Sequence, residues 1–318
     1  MSLRHLSATV ALALVAALSV QSAAQTRNEY DFRMKSKPEI MRRYSTTLYT
    51  SNNKDVNNVQ STNLATLPQP VADFQVSPAG IYFMALTQGN KPSQAFLYDI
   101  RDVDVLINKF NNKAYGVPTA VGFTPDAKYL LLATNKGIHQ IEPVKFHIIK
   151  TIPTEFQPTE ILMSTDGYYL AATDGHKVVV YNFEESKPRK TWNIDEKVTS
   201  MAFSPDNSQF AILTDDGVLN IYDTRSFGLK LDVDELGDGI DFDFNLDGKY
   251  VAVITSPKTI QIVNLLRPDE RETITVDDEA GASMLCFLPD SRQNTLLAYT
   301  QGSGIHAKRM HGLEPYYG

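Results

Sequence analysis

Six short turns recur along this chain at an almost fixed interval, and that repetition limits the possible folds more than any other feature. They read Val76-Ser77-Pro78-Ala79-Gly80, Phe123-Thr124-Pro125-Asp126-Ala127, Met163-Ser164-Thr165-Asp166-Gly167, Phe203-Ser204-Pro205-Asp206-Asn207, Phe244-Asn245-Leu246-Asp247-Gly248 and Phe287-Leu288-Pro289-Asp290-Ser291. Their third residues are 47, 40, 40, 41 and 43 positions apart. A period of that size marks a chain made of repeated supersecondary units. The turn chemistry is coherent: Pro presets φ, Asp or Asn bonds nearby backbone, and Gly accepts positive φ.

Each turn leads into an apolar strand: Tyr82–Leu86, Tyr129–Ala133, Tyr168–Ala172, Phe210–Leu213, Tyr250–Ile254 and Thr295–Tyr299. Two of these strands end in Asp-Gly turns, Thr173-Asp174-Gly175 and Thr214-Asp215-Asp216-Gly217, a strong hairpin signal. A third strand follows, closing on an apolar residue and a polar one: Tyr98-Asp99, Ile141-Glu142, Tyr181-Asn182, Tyr222-Asp223 and Val263-Asn264. The fourth is more polar, as in Phe146-His147-Ile148-Ile149, and suits an outer edge. One four-stranded antiparallel meander cannot bury both its faces, whereas a ring of them can. The expected fold is therefore all-β, a β-propeller of four-stranded blades. Residues 25–318 have room for seven blades at the repeat's period, the propeller itself covering 44–318, if further strands form at Thr46–Tyr49 and Asn63–Leu67 and the N-terminal segment closes the ring; six is the alternative.

The stretch Phe203-Ser204-Pro205-Asp206-Asn207, Phe210–Leu213, Asp216-Gly217 and Leu219-Asn220-Ile221-Tyr222-Asp223 resembles a WD40 repeat, with Tyr222-Asp223 standing where that family carries Trp-Asp. The likeness spans residues 71–308 and is strongest over 157–264. It departs from the family in lacking the Gly-His pair that opens a typical repeat. The single Trp192 is not followed by Asp, so the hydrogen-bonded tetrad of that family is not implied. The chain is similar in the same way to the looser bacterial propellers, the YVTN-type and lactonase-like groups.

The N-terminus reads as an export signal over residues 1–24. Arg4 and His5 precede the apolar run Ala8–Val20, and Ser22-Ala23-Ala24 precedes cleavage before Gln25. The apolar run is too short to span a bilayer comfortably, since that takes about 20 residues. A polar lead-in with Arg33, Lys35, Lys37, Arg42 and Arg43 occupies residues 25–43. The expected location is the periplasm, or the cell surface or medium, with no membrane span left after cleavage. The formal charge is −7, which loss of Arg4 would take to −8. An acidic protein is a poor general nucleic-acid binder, because that binding relies on Lys and Arg at phosphates. Cys286 is the only cysteine and lies in an apolar run, which excludes an internal disulfide and fits a small buried hydrophobe.

The segments that most resemble chemical motifs read as ordinary structure. Asp243-Phe244-Asn245-Leu246-Asp247-Gly248 opens like a calcium loop, but Val251 and Ile254 stand where the ninth and twelfth ligands belong. The acidic run Asp232, Asp234, Glu235, Asp238, Asp241 and Asp243 and the basic group Lys187, Arg189 and Lys190 read as solvated loops. His139, His147, His176, His306 and His311 show no metal-ligand spacing, and no nucleophile elbow or phosphate loop occurs. Ser303 and His306 share a glycine-rich hairpin. The lactonase-like resemblance implies a metal held by carboxylates from several blades. Asp73, Glu160 and Asp241, at the starts of innermost strands, are candidates for such a site, though the sequence singles out none as a ligand. Tyr115 and Phe227 read as loop aromatics, available for contacts or for packing.

No residue is assigned as catalytic, cofactor-binding or metal-binding. The expected function is a non-catalytic protein-interaction scaffold in a bacterial envelope. A metal-dependent lactonase-like hydrolase and a sugar- or peptide-binding propeller are the alternatives.

Overall fold

The computed structural model describes residues 67–310, apart from 68, 70, 80, 90, 100, 101, 111, 278, 280, 290–294, 302 and 303. The expected signal peptide (1–24), the lead-in (25–43), the strand at 46–49 and all but Leu67 of the strand at 63–67 lie outside the described residues.

The described chain is nearly all-β, in six antiparallel sheets arranged like blades. Sheet one holds β1 (Val71–Val76), β2 (Tyr82–Thr87), β3 (Gln94–Asp99) and β4 (Asp102–Lys109). One helical turn, α1 (Asn112–Tyr115), leads to sheet two: β5 (Pro118–Phe123), β6 (Leu130–Thr134), β7 (Gly137–Ile141) and β8 (Ile148–Ile152). Sheet three is β9 (Glu160–Met163), β10 (Tyr169–Thr173), β11 (Lys177–Asn182) and β12 (Lys187–Asn193). Sheet four is β13 (Val198–Phe203), β14 (Gln209–Thr214), β15 (Leu219–Asp223) and β16 (Leu229–Val233). Sheet five is β17 (Asp241–Phe244), β18 (Tyr250–Ser256), β19 (Thr259–Asn264) and β20 (Arg267–Thr275). Sheet six has three described strands: β21 (Leu285–Pro289), β22 (Thr295–Gln301) and β23 (Gly304–Met310).

The period-two geometry of a strand explains why the middle strands are apolar throughout rather than alternating. Successive side chains point to opposite faces, and here both faces are covered. Leu130 and Leu132 pack with Met84 and Leu97 of sheet one, whereas Leu131 and Ala133 pack with Leu170 and Val179 of sheet three. The same division recurs in sheet five: Val251 and Val253 join sheet four, and Ala252 and Ile254 join sheet six. Five hydrophobic clusters thus lie one between each pair of successive sheets. The first strands of successive sheets pack side by side from β1 through β21, which makes them the inner strands. The fourth strands face water; every residue of β12 but Trp192 is exposed.

The recurring turn owes its shape to a hydroxyl at its second residue. Ser204 Oγ donates to Asp206 Oδ1 at 2.6 Å and accepts from Gln209 N–H at 2.9 Å. Thr124 makes the same pair of bonds with Asp126 and Tyr129 N–H, and Ser164 with Asp166 and Tyr169 N–H. Where the hydroxyl is replaced by an amide, Asn245 Oδ1 accepts from Tyr250 N–H. The last turn residue is left-handed in each of these four turns, at Ala127, Gly167, Asn207 and Gly248, which accounts for the Gly and Asn found there.

The polar residue that follows or closes the third strand of sheets two to five also has one job. Glu142, Asn182, Asp223 and Asn264 all accept backbone N–H bonds from the turn that follows, beside a β-bulge in each sheet. Asp223 thereby caps its own turn. The fourth strand of sheet two begins at Ile148, two residues later than expected, because Phe146 adopts φ +57° within that turn.

Candidate functional site

The inner strands bring their acidic residues to one end of each blade. Asp73, Glu160 and Asp241 occupy the same place in their repeats, four residues before the turn's Ser or Asn; Ala120 and Ser200 fill it in the intervening sheets. A bulge just before Ser200 and Ala120 shifts the ladder register there.

Asp241 is 7 % exposed and ties three inner strands together. Its Oδ1 accepts from Ser200 Oγ of β13 at 3.0 Å and its Oδ2 from Leu285 N–H of β21 at 3.1 Å. Two residues along the same strand face, Asp243 Oδ2 accepts from Phe287 N–H at 2.9 Å. The two carboxyls therefore cap alternate amides on the open inner edge of β21. Burial pushes the Asp241 carboxyl up to about 7, with the neighbouring Asp243 charge adding to the rise and the bonds from Leu285 and Ser200 opposing it. Removal from water likewise raises Glu160 to about 7. Among the described residues no three His, Cys, Asp or Glu side chains gather into a group that could hold a metal ion.

The calcium-like segment is divided among structural tasks. Asp243 holds β21, Asn245 receives Lys249 and Tyr250 N–H, and Asp247 receives Lys249 N–H. The acidic run is only partly a loop, since Asp232 lies on β16 and Asp241 and Asp243 on β17. The basic trio is not in a loop at all. Lys187, Arg189 and Lys190 are exposed on β12, an outer strand that tolerates Pro188.

His139 is 4 % exposed on β7 and wholly engaged. Nδ1 meets Thr151 Oγ1 at 2.8 Å, and Nε2 meets the Tyr115 carbonyl at 2.7 Å and Thr134 Oγ1 at 3.2 Å. Burial holds its pKa below the usual value against the Tyr115 bond, which favours the proton. His176 is exposed on its hairpin, as expected.

The two loop aromatics are packing residues. Phe227 is 3 % exposed, edge-on to Tyr169 and Trp192. Tyr115 is half-buried against Phe110, and its hydroxyl donates to the Phe146 carbonyl. Cys286 is buried.

A meander places the turns between strands one and two, and between three and four, on one side of the blades. On that side Leu266 is 79 %, Val144 70 % and Tyr168 50 % exposed, and Ile148, Ile149 and Leu229 begin fourth strands immediately beyond such turns. The side is stiffened by bonds between sheets. Asn207 Oδ1 receives Thr165 N–H and Oγ1–H at 2.9 Å, and Gln209 Nε2 donates to Gly248 O at 3.3 Å.

No helix among the described residues is long and apolar enough to cross a membrane. In comparisons with known proteins, no family model matches the chain and no curated protein is significantly similar to it.

Proposed function

We propose that this chain is a propeller of the WD40-like or YVTN-type group, exported to the envelope of a bacterium, where it serves as a non-catalytic scaffold for a protein partner. One observation carries the reading: the exposed apolar side chains of the turns, Leu266, Val144 and Tyr168, all lie on a single side of a frame braced between sheets. Apolar groups held out on rigid loops suit recognition of another protein surface. The basic, apolar and small-residue segments of residues 1–24 support export.

The test compares capture of envelope proteins by the wild type and by a chain carrying Val144→Ser, Tyr168→Ser and Leu266→Ser. A partner held by the first and lost by the second is the expected result; equal capture by both refutes the assignment. N-terminal sequencing of the exported protein should begin at Gln25.

A second reading, a metal-dependent hydrolase of the lactonase-like kind, draws on the shared position of Asp73, Glu160 and Asp241 on inner strands of alternate sheets. A stoichiometric divalent ion in the purified protein, with hydrolysis of a lactone lost in Glu160→Gln, would favour it.

A further inference from the structure

We propose that Asp241 and Asp243 form a proton-operated clasp that fastens the sixth sheet to the fifth, tight while Asp241 holds a proton and loosened when both carboxyls are charged. The geometry supplies the contact: two carboxyls about 7 Å apart along one strand accept from the Leu285 and Phe287 amides of β21. Asp241 is also anchored backward to Ser200.

Among the described residues, the strands around Asp241 carry no positive charge. The elements packed against Asp241 are β13, β18 and β21, and with β17 itself they carry no Lys, Arg or His. Their titratable groups are Asp243, Tyr250 of β18 and Cys286, which lies between the two bonded amides; the flanking loops add Asp238, Asp277 and Glu279, and the exposed Lys197 before β13 and Lys258 after β18. Glu160 holds the corresponding place on β9.

Both protonation states can make the observed contacts. A serine hydroxyl donates or accepts, so a protonated Asp241 can donate to Ser200 Oγ while Oδ2 still receives Leu285 N–H. An ionised Asp241 accepts stronger bonds, but it remains out of water beside Asp243. Burial is the larger effect, since the carboxyl titrates near 7 rather than near 3.8. Local opening rehydrates it and restores the ordinary value. The raised group favours the closed form below about 3.8, and that advantage declines as pH climbs to about 7. By linkage the open population of β21 rises on the order of 100-fold between about pH 5 and pH 8.

The experiment is amide hydrogen exchange on the full chain at pH 5 and pH 8, corrected for the intrinsic effect of pH on exchange. Protection of the Leu285 and Phe287 amides should fall by about 100-fold in the wild type and change little in Asp241→Asn, whose amide can meet Ser200 and Leu285 without a charge. Unchanged wild-type protection, or the same fall in the variant, overturns the clasp. If the variant does not fold, the wild type still decides. The loss must be confined to β21, and an equal loss at Leu170 and Ala172 of β10 overturns it. A carbon-13 titration placing the Asp241 carboxyl near its ordinary value overturns it as well.

Discussion

Replacing Ser204 by Ala tests whether the turn hydroxyl organises the repeat. Ser204 is fully buried, and its oxygen is the side-chain partner of both Asp206 and the Gln209 N–H. Truncation orphans a buried N–H, which costs about 1–3 kcal/mol. It also removes a charge-assisted bond to Asp206; because that carboxylate is exposed, screening limits this share to about 1 kcal/mol. The expected loss is therefore about 3 kcal/mol, most of it from the amide. Ser204→Thr should be nearly neutral, since Thr124 makes the same two bonds in sheet two.

Urea unfolding of Ser204→Ala, Asp206→Ala and the double variant gives the coupling energy, about 1 kcal/mol at pH 7. Burial alone would raise the Asp206 carboxyl, but bonds from Ser204 and Ser208 outweigh it and hold the group below 3.8. Its contribution is complete above that pH and disappears as pH falls through the lower, folded value. A loss below about 1 kcal/mol for Ser204→Ala would refute the hydroxyl's role. Coupling that persists undiminished in strong acid would refute the ionic part.

Three further outcomes follow from local geometry. Ala127 occupies the left-handed position that Gly167 and Gly248 hold in other repeats, so Ala127→Gly should stabilise by about 0.5–1 kcal/mol; a lower melting temperature would contradict this. A Cβ on Gly239 would meet the Thr214 carbonyl oxygen at 2.0 Å with φ at +48°, and Gly239→Ala should lose about 3 kcal/mol or more in urea unfolding. Burial lowers the His139 pKa below 6.5, so folding favours neutral imidazole and its stability advantage falls away as pH drops below that value. Proton NMR should place the His139 midpoint below 6.5, and a midpoint at or above 6.5 would contradict the buried assignment.

The sheets were legible because a 40-residue interval, apolar middle strands and Asp-Gly turns all express one geometry. The turn serines were equally visible at Ser77, Thr124, Ser164 and Ser204, but turn formulae direct attention to Pro, Asp and Gly. Phe227 and Phe146 were harder. A bulky residue is disfavoured at positive φ, but the turn after the third strand demands it four residues past the cap, as at Ser186, and aromatic packing between sheets accommodates the two rings. Lys187-Pro188-Arg189-Lys190 looked like loop because it is polar and contains Pro, yet a solvent-facing edge strand accepts both. The Asp241 bonds join residues 41 and 44 positions apart. Spacing showed the repeat, but not which groups would meet across its seams.

Each of the first five sheets completes its ladder within its own stretch of chain, and neighbours join through side-chain packing and a few bonds. Gene duplication therefore has a simple unit to copy. A new blade arrives with its own hydrogen-bonded ladder, and only its two flanking contact surfaces must be refitted. Such a unit tolerates exchange at equivalent positions: spacing is kept here while Ser, Thr and Asn alternate at the turn and Glu, Asn and Asp at the cap.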